Sequence, residues 1–198
     1  MIKFINPSQE TPYKIFKNKY DEALNSNQSI IQAACISSYS SINNEVNARF
    51  VNLKFVKEKE FIFFSNYESP KAKDFLSHDQ ISAVIYWSTT NVQIRIKAII
   101  SKTSREYNLK YFSERDEKKN ALAISSNQSK HISSYDEVCE DYDKSLKNDD
   151  LRTCPKYWGG YSYVPYYFEF WEGRESRLNK REVYELKNND WEHYFLQP

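Results

Sequence analysis

The sequence predicts an α+β fold, mainly β: an antiparallel barrel or sandwich with surrounding helices. Three observations carry this. Several strand-like runs follow one another, a charged helical stretch interrupts them, and strands then return to the C-terminus. Aromatic residues make up 16% of the chain, with 16 Tyr and 12 Phe, a composition that suits packed sheets and argues against disorder. Regular alternation of strand and helix is missing, which argues against a parallel sheet.

Taken in order, "PYKIFKNKYDEAL" places Tyr13, Phe16, Tyr20 and Ala23/Leu24 on one helical face, with Pro12 near the start. "SIIQAACIS" is a short buried run and "VNARFVNLKFV" a longer β-rich one. "FIFFS" and "ISAVIYW" read as core strands, and "VQIRIKAII" alternates polar and apolar. Between them "SPKAKDFLSHD" reads as a short helix, with Ser69 as N-cap and Pro70 at its first position. "SREYNLKYFSERDEKKNALAISS" and "SSYDEVCEDYDKSLK" are helical, charged and amphipathic. After the loop "NDDLRTCPKYWGG", the runs "YSYVPYYFEFW", "REVYELK" and "WEHYFL" are strands again.

Composition excludes several function classes. With 28 Lys+Arg against 27 Asp+Glu the net charge is +1, so no sequence-wide attraction to nucleic acid or anionic membrane exists, and any anion site is local. Only 3 glycines are present, which excludes Gly-rich phosphate loops. Cys35, Cys139 and Cys154 form neither a CxxC nor a zinc pattern, and His78, His131 and His193 have no metal spacing. The start, "MIKFINPSQE", has no signal-peptide core and no run reaches membrane-spanning length. The expectation is a reduced, cytoplasmic protein with no metal.

Local clusters supply candidate anion ligands. Arg49 and Lys54 lie five apart, which in a regular strand sends them to opposite faces. Ser65 ends one strand and Lys71 falls in the first turn of the next helix. A cation there opposes the helix dipole, and a bound anion would relieve the conflict. Tyr111, Arg115 and Lys119 stand at i, i+4 and i+8, one helical stripe able to hold a phosphate. Gln93 and Arg95 share a strand face, and Gln128 and Ser129 lie in a polar loop. From Arg177 onward, Arg177, Asn179 and Arg181 could share one face of an extended strand. Taken alone, each of these cationic runs reads better as solvated surface. No serine elbow or cysteine nucleophile motif occurs, so an enzyme of this sequence would rely on a cofactor for the difficult chemistry.

The ordered series "ARFVNLK", "FSNYESPKA", "WSTTNVQIR", "LKYFSER", "NQSKHIS", "YWGGY" and "FEFWEGRESRLNKR" resembles the pyridoxamine 5′-phosphate oxidase family. It runs from about residue 12 to the C-terminus. The resemblance implies an FMN-binding split β-barrel of Greek-key type over 1–198, working as a homodimer. Residues 155–198 would be the segment that dimerises and completes the site. It further implies an FMN-dependent oxidase that converts pyridoxamine or pyridoxine 5′-phosphate to pyridoxal 5′-phosphate, reducing O2 to hydrogen peroxide. By resemblance, Arg49, Lys71, Gln128 and Ser129 serve the FMN phosphate and ribityl chain, and Ser65 and Gln93 lie near the flavin body. Trp171 and Arg181 reach the same FMN from the partner subunit. Lys54, Tyr111 and Arg115 match the grip on the substrate phosphate, with Lys119 at its third helical position. Arg177 matches the residue over the pyridine ring, with Asn179 beside it.

Three positions depart from the family pattern. Pro70 stands where an arginine is usual, Lys119 where a serine is common, and Asn179 where a histidine is found. Asn can hydrogen-bond but cannot titrate near neutrality, and lysine is a longer, charged donor. These departures keep two alternatives open: a related flavin oxidoreductase acting on another ring substrate, and a non-catalytic flavin- or pyridoxal-phosphate-binding protein.

Overall fold

The computed structural model describes residues 1–198. Ten strands form one sheet: β1 (Lys3–Ile5), β2 (Ala33–Ser40), β3 (Glu45–Asn52), β4 (Phe55–Lys57), β5 (Glu60–Asn66), β6 (Gln80–Trp87), β7 (Val92–Lys102), β8 (Trp158–Glu172), β9 (Lys180–Lys187) and β10 (Asp190–Leu196). The helices are α1 (Thr11–Asn25), α2 (Pro70–Ser77), α3 (Arg105–Glu114), α4 (Glu117–Ser125) and α5 (Tyr135–Asn148). The order β1-β4-β5-β8-β7-β6-β2-β3 curls round a core without its ends pairing, while β9 joins β8 and β10 joins β9. This is the split barrel expected. Every pairing is antiparallel except β1 with β4, which is parallel.

The core is aromatic because the strands turn one face inward. Phe61, Phe63, Tyr161, Tyr163, Phe168 and Phe170 are buried, and α1 lays Tyr13, Phe16, Tyr20 and Ala23 against them. Phe16 meets Phe61 edge-on with ring centroids 4.9 Å apart, a favoured aromatic geometry. Leu24, expected on the same face, is turned outward and exposed. The long strand β8 organises the sheet. Its first half pairs with β5, its second half with β9, and β7 runs along most of its length. Opposite Lys97 and Ala98 the register shifts by one residue next to Pro165, which has no amide to give the ladder. At Gly159 a side chain would collide with Tyr67 and Asn108. The absence of one lets Asn108 accept from the Gly160 amide (2.8 Å) and donate to the Tyr67 hydroxyl (3.0 Å), which fastens α3 to β8.

Three expectations of local structure need correcting. "VNARFVNLKFV" is two strands, broken at Leu53 and Lys54, because buried Leu53 turns the chain from β3 into β4. "REYNLKYFSERDEKKN" is two helices: Arg115 ends α3 in an extended conformation, and the Asp116 carboxylate accepts from the Lys119 amide to cap α4. "RESRLNKR" is no continuous strand. Ser176 and Arg177 adopt left-handed conformations (φ 55° and 61°) in a short 3-10 turn, and β9 begins only at Lys180. All three cysteines are free thiols, and no helix is long and apolar enough to cross a membrane.

Candidate active site

Helix α2 begins with Ser69 at its N-cap and Pro70 in its first turn, as the sequence suggests. Ser69 does not cap its own helix. Its hydroxyl donates to the Asn66 carbonyl (2.8 Å) and accepts from Lys71 Nζ (3.2 Å). Lys71 also donates to Ser65 Oγ at 2.9 Å and is only 8% exposed. No carboxylate partners it. Burial first, and the charge of Arg49 second, push its pKa down to about 8. A buried cation beside hydroxyls, with another cation for a neighbour, is a place prepared for an anion.

The neighbours extend this cluster. Ser65 Oγ donates to Gln128 Oε1 (3.3 Å), which also accepts from the Asn66 amide (3.3 Å), so the 126–134 loop is tied to the end of β5. Arg49 donates to Ser38 Oγ (2.6 Å) and lies 3.7 Å from the Asp74 carboxylate on α2. Burial lowers the Arg49 pKa, and Asp74 opposes that only in part. Ser38 and Asp74 were not singled out by sequence. They are bonded at 2.7 Å and brace Arg49 against the helix.

A cavity of 660 Å3 opens beside this cluster. Ser65, Lys71 and Gln128 line it together with Lys54, Tyr111, Arg115 and Lys119. The broken helix is what makes this possible. With Arg115 at the kink, Tyr111 from α3 and Lys119 from α4 reach the same space, although they form no stripe. The strand break acts likewise on Lys54. It lies outside β3, so the opposite-face argument from its spacing does not apply. Burial lowers the Lys54 pKa, and Lys119 and Arg115 lower it further. Arg115 is shifted down by burial as well, against the opposing charge of Asp116. Its guanidinium lies over the Trp158 ring (5.0 Å) and donates to Asn120 Oδ1 (3.2 Å), while Tyr111 stacks on Phe64 at 3.9 Å. Lys3 of β1 also lines the cavity. Nothing in the sequence signalled Lys3, because only the parallel β1–β4 pairing brings it beside Lys54.

The remaining expected residues stand elsewhere. Ser129, with φ 67°, borders a separate 510 Å3 cavity formed by its own loop and α5. Gln93, Trp171 and Arg181 are cross-strand neighbours in one row over β7, β8 and β9, on the outer face of the sheet, and line neither cavity. Arg177 is exposed in the turn before β9, and Asn179 Oδ1 accepts from the Arg174 amide (3.1 Å). Within one chain, then, the cavity cluster, Ser129, the row of Gln93, Trp171 and Arg181, and the turn carrying Arg177 and Asn179 stand apart.

Residues 158–198 match the family model described as the pyridoxine 5′-phosphate oxidase C-terminal dimerisation region. The chain is 32% identical over 190 residues to a pyridoxine/pyridoxamine 5′-phosphate oxidase of Vesicomyosocius okutanii, covering 95% of this chain and 89% of that one. It belongs to the pyridoxine/pyridoxamine 5′-phosphate oxidase family. The same name is carried by a relative from Paraburkholderia phytofirmans, 37% identical over 77% of this chain and 73% of its own. Among solved structures, PhzG from Burkholderia lata, in complex with tetrahydrophenazine-1-carboxylic acid, superposes with a TM-score of 0.89 at 23% identity, covering 94% of this chain and 92% of that one. An FMN-binding protein related to pyridoxamine 5′-phosphate oxidase, from Nostoc punctiforme, superposes with a TM-score of 0.77 at 12% identity, covering 92% and 97%. Both likenesses concern the fold. The family is one of FMN-dependent oxidoreductases.

Proposed function

We propose that this chain is an FMN-dependent oxidase of phosphorylated B6 vitamers, pyridoxamine or pyridoxine 5′-phosphate, and that it works as a homodimer. The observation that carries the reading is the cavity with two cationic grips. Lys71, bonded to Ser65, is one; Lys54, Arg115 and Lys119, whose charges act on one another, are the other, and none of these cations is held by a carboxylate. Two phosphorylated molecules side by side call for two such grips.

The donor set fits FMN. Lys71, Ser65 and Arg49 would take its phosphate and Gln128 its ribityl chain, with Ser129 beside Gln128 at the border of the neighbouring cavity. Gln93, Trp171 and Arg181 would meet the flavin from the sheet face, with residues 155–198 of a second copy completing the site. When bound, FMN supplies a hydride acceptor that O2 restores to the oxidised form, releasing hydrogen peroxide. The protein's own residues bind and orient. Lys54, Tyr111 and Arg115 hold the substrate phosphate by charge-assisted hydrogen bonds, Lys119 adds a long-range attraction, and Arg177 with Asn179 covers the ring. No side chain has to act as a nucleophile; the cavity carries cations, amides and hydroxyls, with Glu114 and Asp116 also on its wall.

A second reading keeps the fold and changes the substrate. It is favoured by Asn179, whose amide oxygen is taken up by the Arg174 amide, and by the likeness to a protein that holds a phenazine carboxylic acid. One experiment separates the readings. The purified protein is expected to be yellow, to bleach when mixed anaerobically with pyridoxamine 5′-phosphate, and to release hydrogen peroxide on re-aeration. Yellow protein that stays coloured would point to another ring substrate or a binding role. Protein unable to take up FMN would overturn both flavoenzyme readings.

A further inference from the structure

We infer that Glu169 is a positioning residue that sets the guanidinium of Arg181, and through it the affinity for flavin; this rests on the reading of Arg181 as a flavin contact. Glu169 lies on the outer face of β8, where a carboxylate would ordinarily meet water, yet it is only 1% exposed. Three side chains cover it. Arg181 Nε donates to Oε1 at 2.9 Å, Arg95 Nη1 to Oε2 at 2.7 Å, and the Tyr167 hydroxyl to Oε2 at 3.0 Å. A buried carboxylate is tolerated only when its charge and lone pairs are met in this way.

The geometry on Arg181 gives the carboxylate its role. The guanidinium is planar, so fixing Nε fixes the direction of the whole group. Nη1 donates to the Gln197 carbonyl (3.0 Å), which leaves Nη2 as the nitrogen without a partner. Trp171 is the cross-strand neighbour of Arg181, and Gln93 is that of Trp171, so one free donor nitrogen is held in a row with an indole and an amide. Without Glu169, the arginine at the start of β9 samples more rotamers, and a ligand would have to order it on binding.

The test is a set of FMN dissociation constants on apoprotein, read from quenching of flavin fluorescence. Glu169→Gln keeps the shape and removes the charge, and is expected to weaken FMN about tenfold. The double variant E169Q/R181A is expected to bind no more weakly than R181A alone, because Glu169 acts through Arg181. Losses that add in the double variant, or unchanged binding in E169Q, would overturn the inference. Should E169Q fail to fold, Arg181→Lys carries the test. Lysine keeps the charge but cannot bond Glu169 and Gln197 with one rigid fork, so it is expected to lose most of what R181A loses. Wild-type affinity in R181K would overturn the positioning role alone, whereas wild-type affinity in R181A would overturn the flavin contact itself.

Discussion

Two regions of this molecule handle positive charge in opposite ways. Around the 660 Å3 cavity, Lys54, Lys71, Arg115 and Lys119 form no ion pair, and the pKa values of Lys54, Lys71 and Arg115 are pushed down. On the outer face and margin of β7–β9 four cations are paired, while Lys97 and Arg177 are not. Arg95 and Arg181 meet Glu169, Lys180 meets Glu182, and Arg174 meets Glu172. Arg181 is shifted up by its hydrogen bond with Glu169. The contrast separates two kinds of candidate site residue. An unpaired, desolvated cation is held at a cost in stability and awaits an anion. A paired one is already at rest and serves as a fixed surface.

The contrast breaks most visibly at Arg115. Its replacement by Ala is expected to raise the KM for pyridoxamine 5′-phosphate about 10- to 100-fold, with a smaller change in kcat. Steady-state kinetics showing an unchanged KM would remove Arg115 from the phosphate grip.

Lys71→Met gives a double-signed prediction. FMN binding should weaken by about tenfold, while the apoprotein melts a few degrees higher, because an uncompensated buried charge is gone. Ser65 and Ser69 keep their bonds to Gln128 and Asn66, so little is left unsatisfied. An apoprotein that melts lower than wild type would show that Lys71 is structural.

The two regions should also answer pH differently. In the folded apoprotein Lys71 titrates near 8, whereas in the unfolded chain it does so near 10.5. Between these values the unfolded chain holds more protons, so apoprotein stability rises with pH from about 8 until tyrosine ionisation takes over near 10. Flavin affinity should fall over the same range as the cation is lost. For Glu169, burial alone would raise the pKa, but the hydrogen bond from Arg181 and the charge of Arg95 hold it below the ordinary 4.5. Its contribution is complete above that value and is lost as pH falls through the lower, folded-state pKa. Denaturant melts of apoprotein across pH would reveal both trends, and a flat profile from 8 to 10 would contradict the first.

Lys119→Ser should have the smallest effect, because this lysine is exposed. The KM is expected to rise about threefold at low salt and to converge with wild type at high salt. A salt-independent change would mean direct contact with the phosphate.

Much of the fold was legible in the sequence, because core strands and α1 carry their periodicities plainly. The breaks were not. Leu53–Lys54 and Arg115–Asp116 interrupt runs whose local propensity is continuous, and tertiary packing ends them there. Both breaks matter to the proposed site, since they bring Lys54, Arg115 and Lys119 to one cavity. The left-handed turn at Ser176–Arg177 was hidden because neither residue is a glycine or an asparagine. Glu169 gave no signal at all. One acidic residue in an aromatic strand is unremarkable until Arg95 and Arg181 are seen to converge on it.

The central claim is that one cavity is completed by two chains, with unpaired cations from one and the paired row from the other. Lys71→Met and Arg181→Ala chains, each weak for FMN alone, can be unfolded and refolded together and titrated with FMN. Random pairing should return about one quarter of the sites to wild-type affinity, because half of the dimers then carry one unaltered site. No recovery of tight binding in the mixture would contradict the account, since both groups of residues would then act within a single chain.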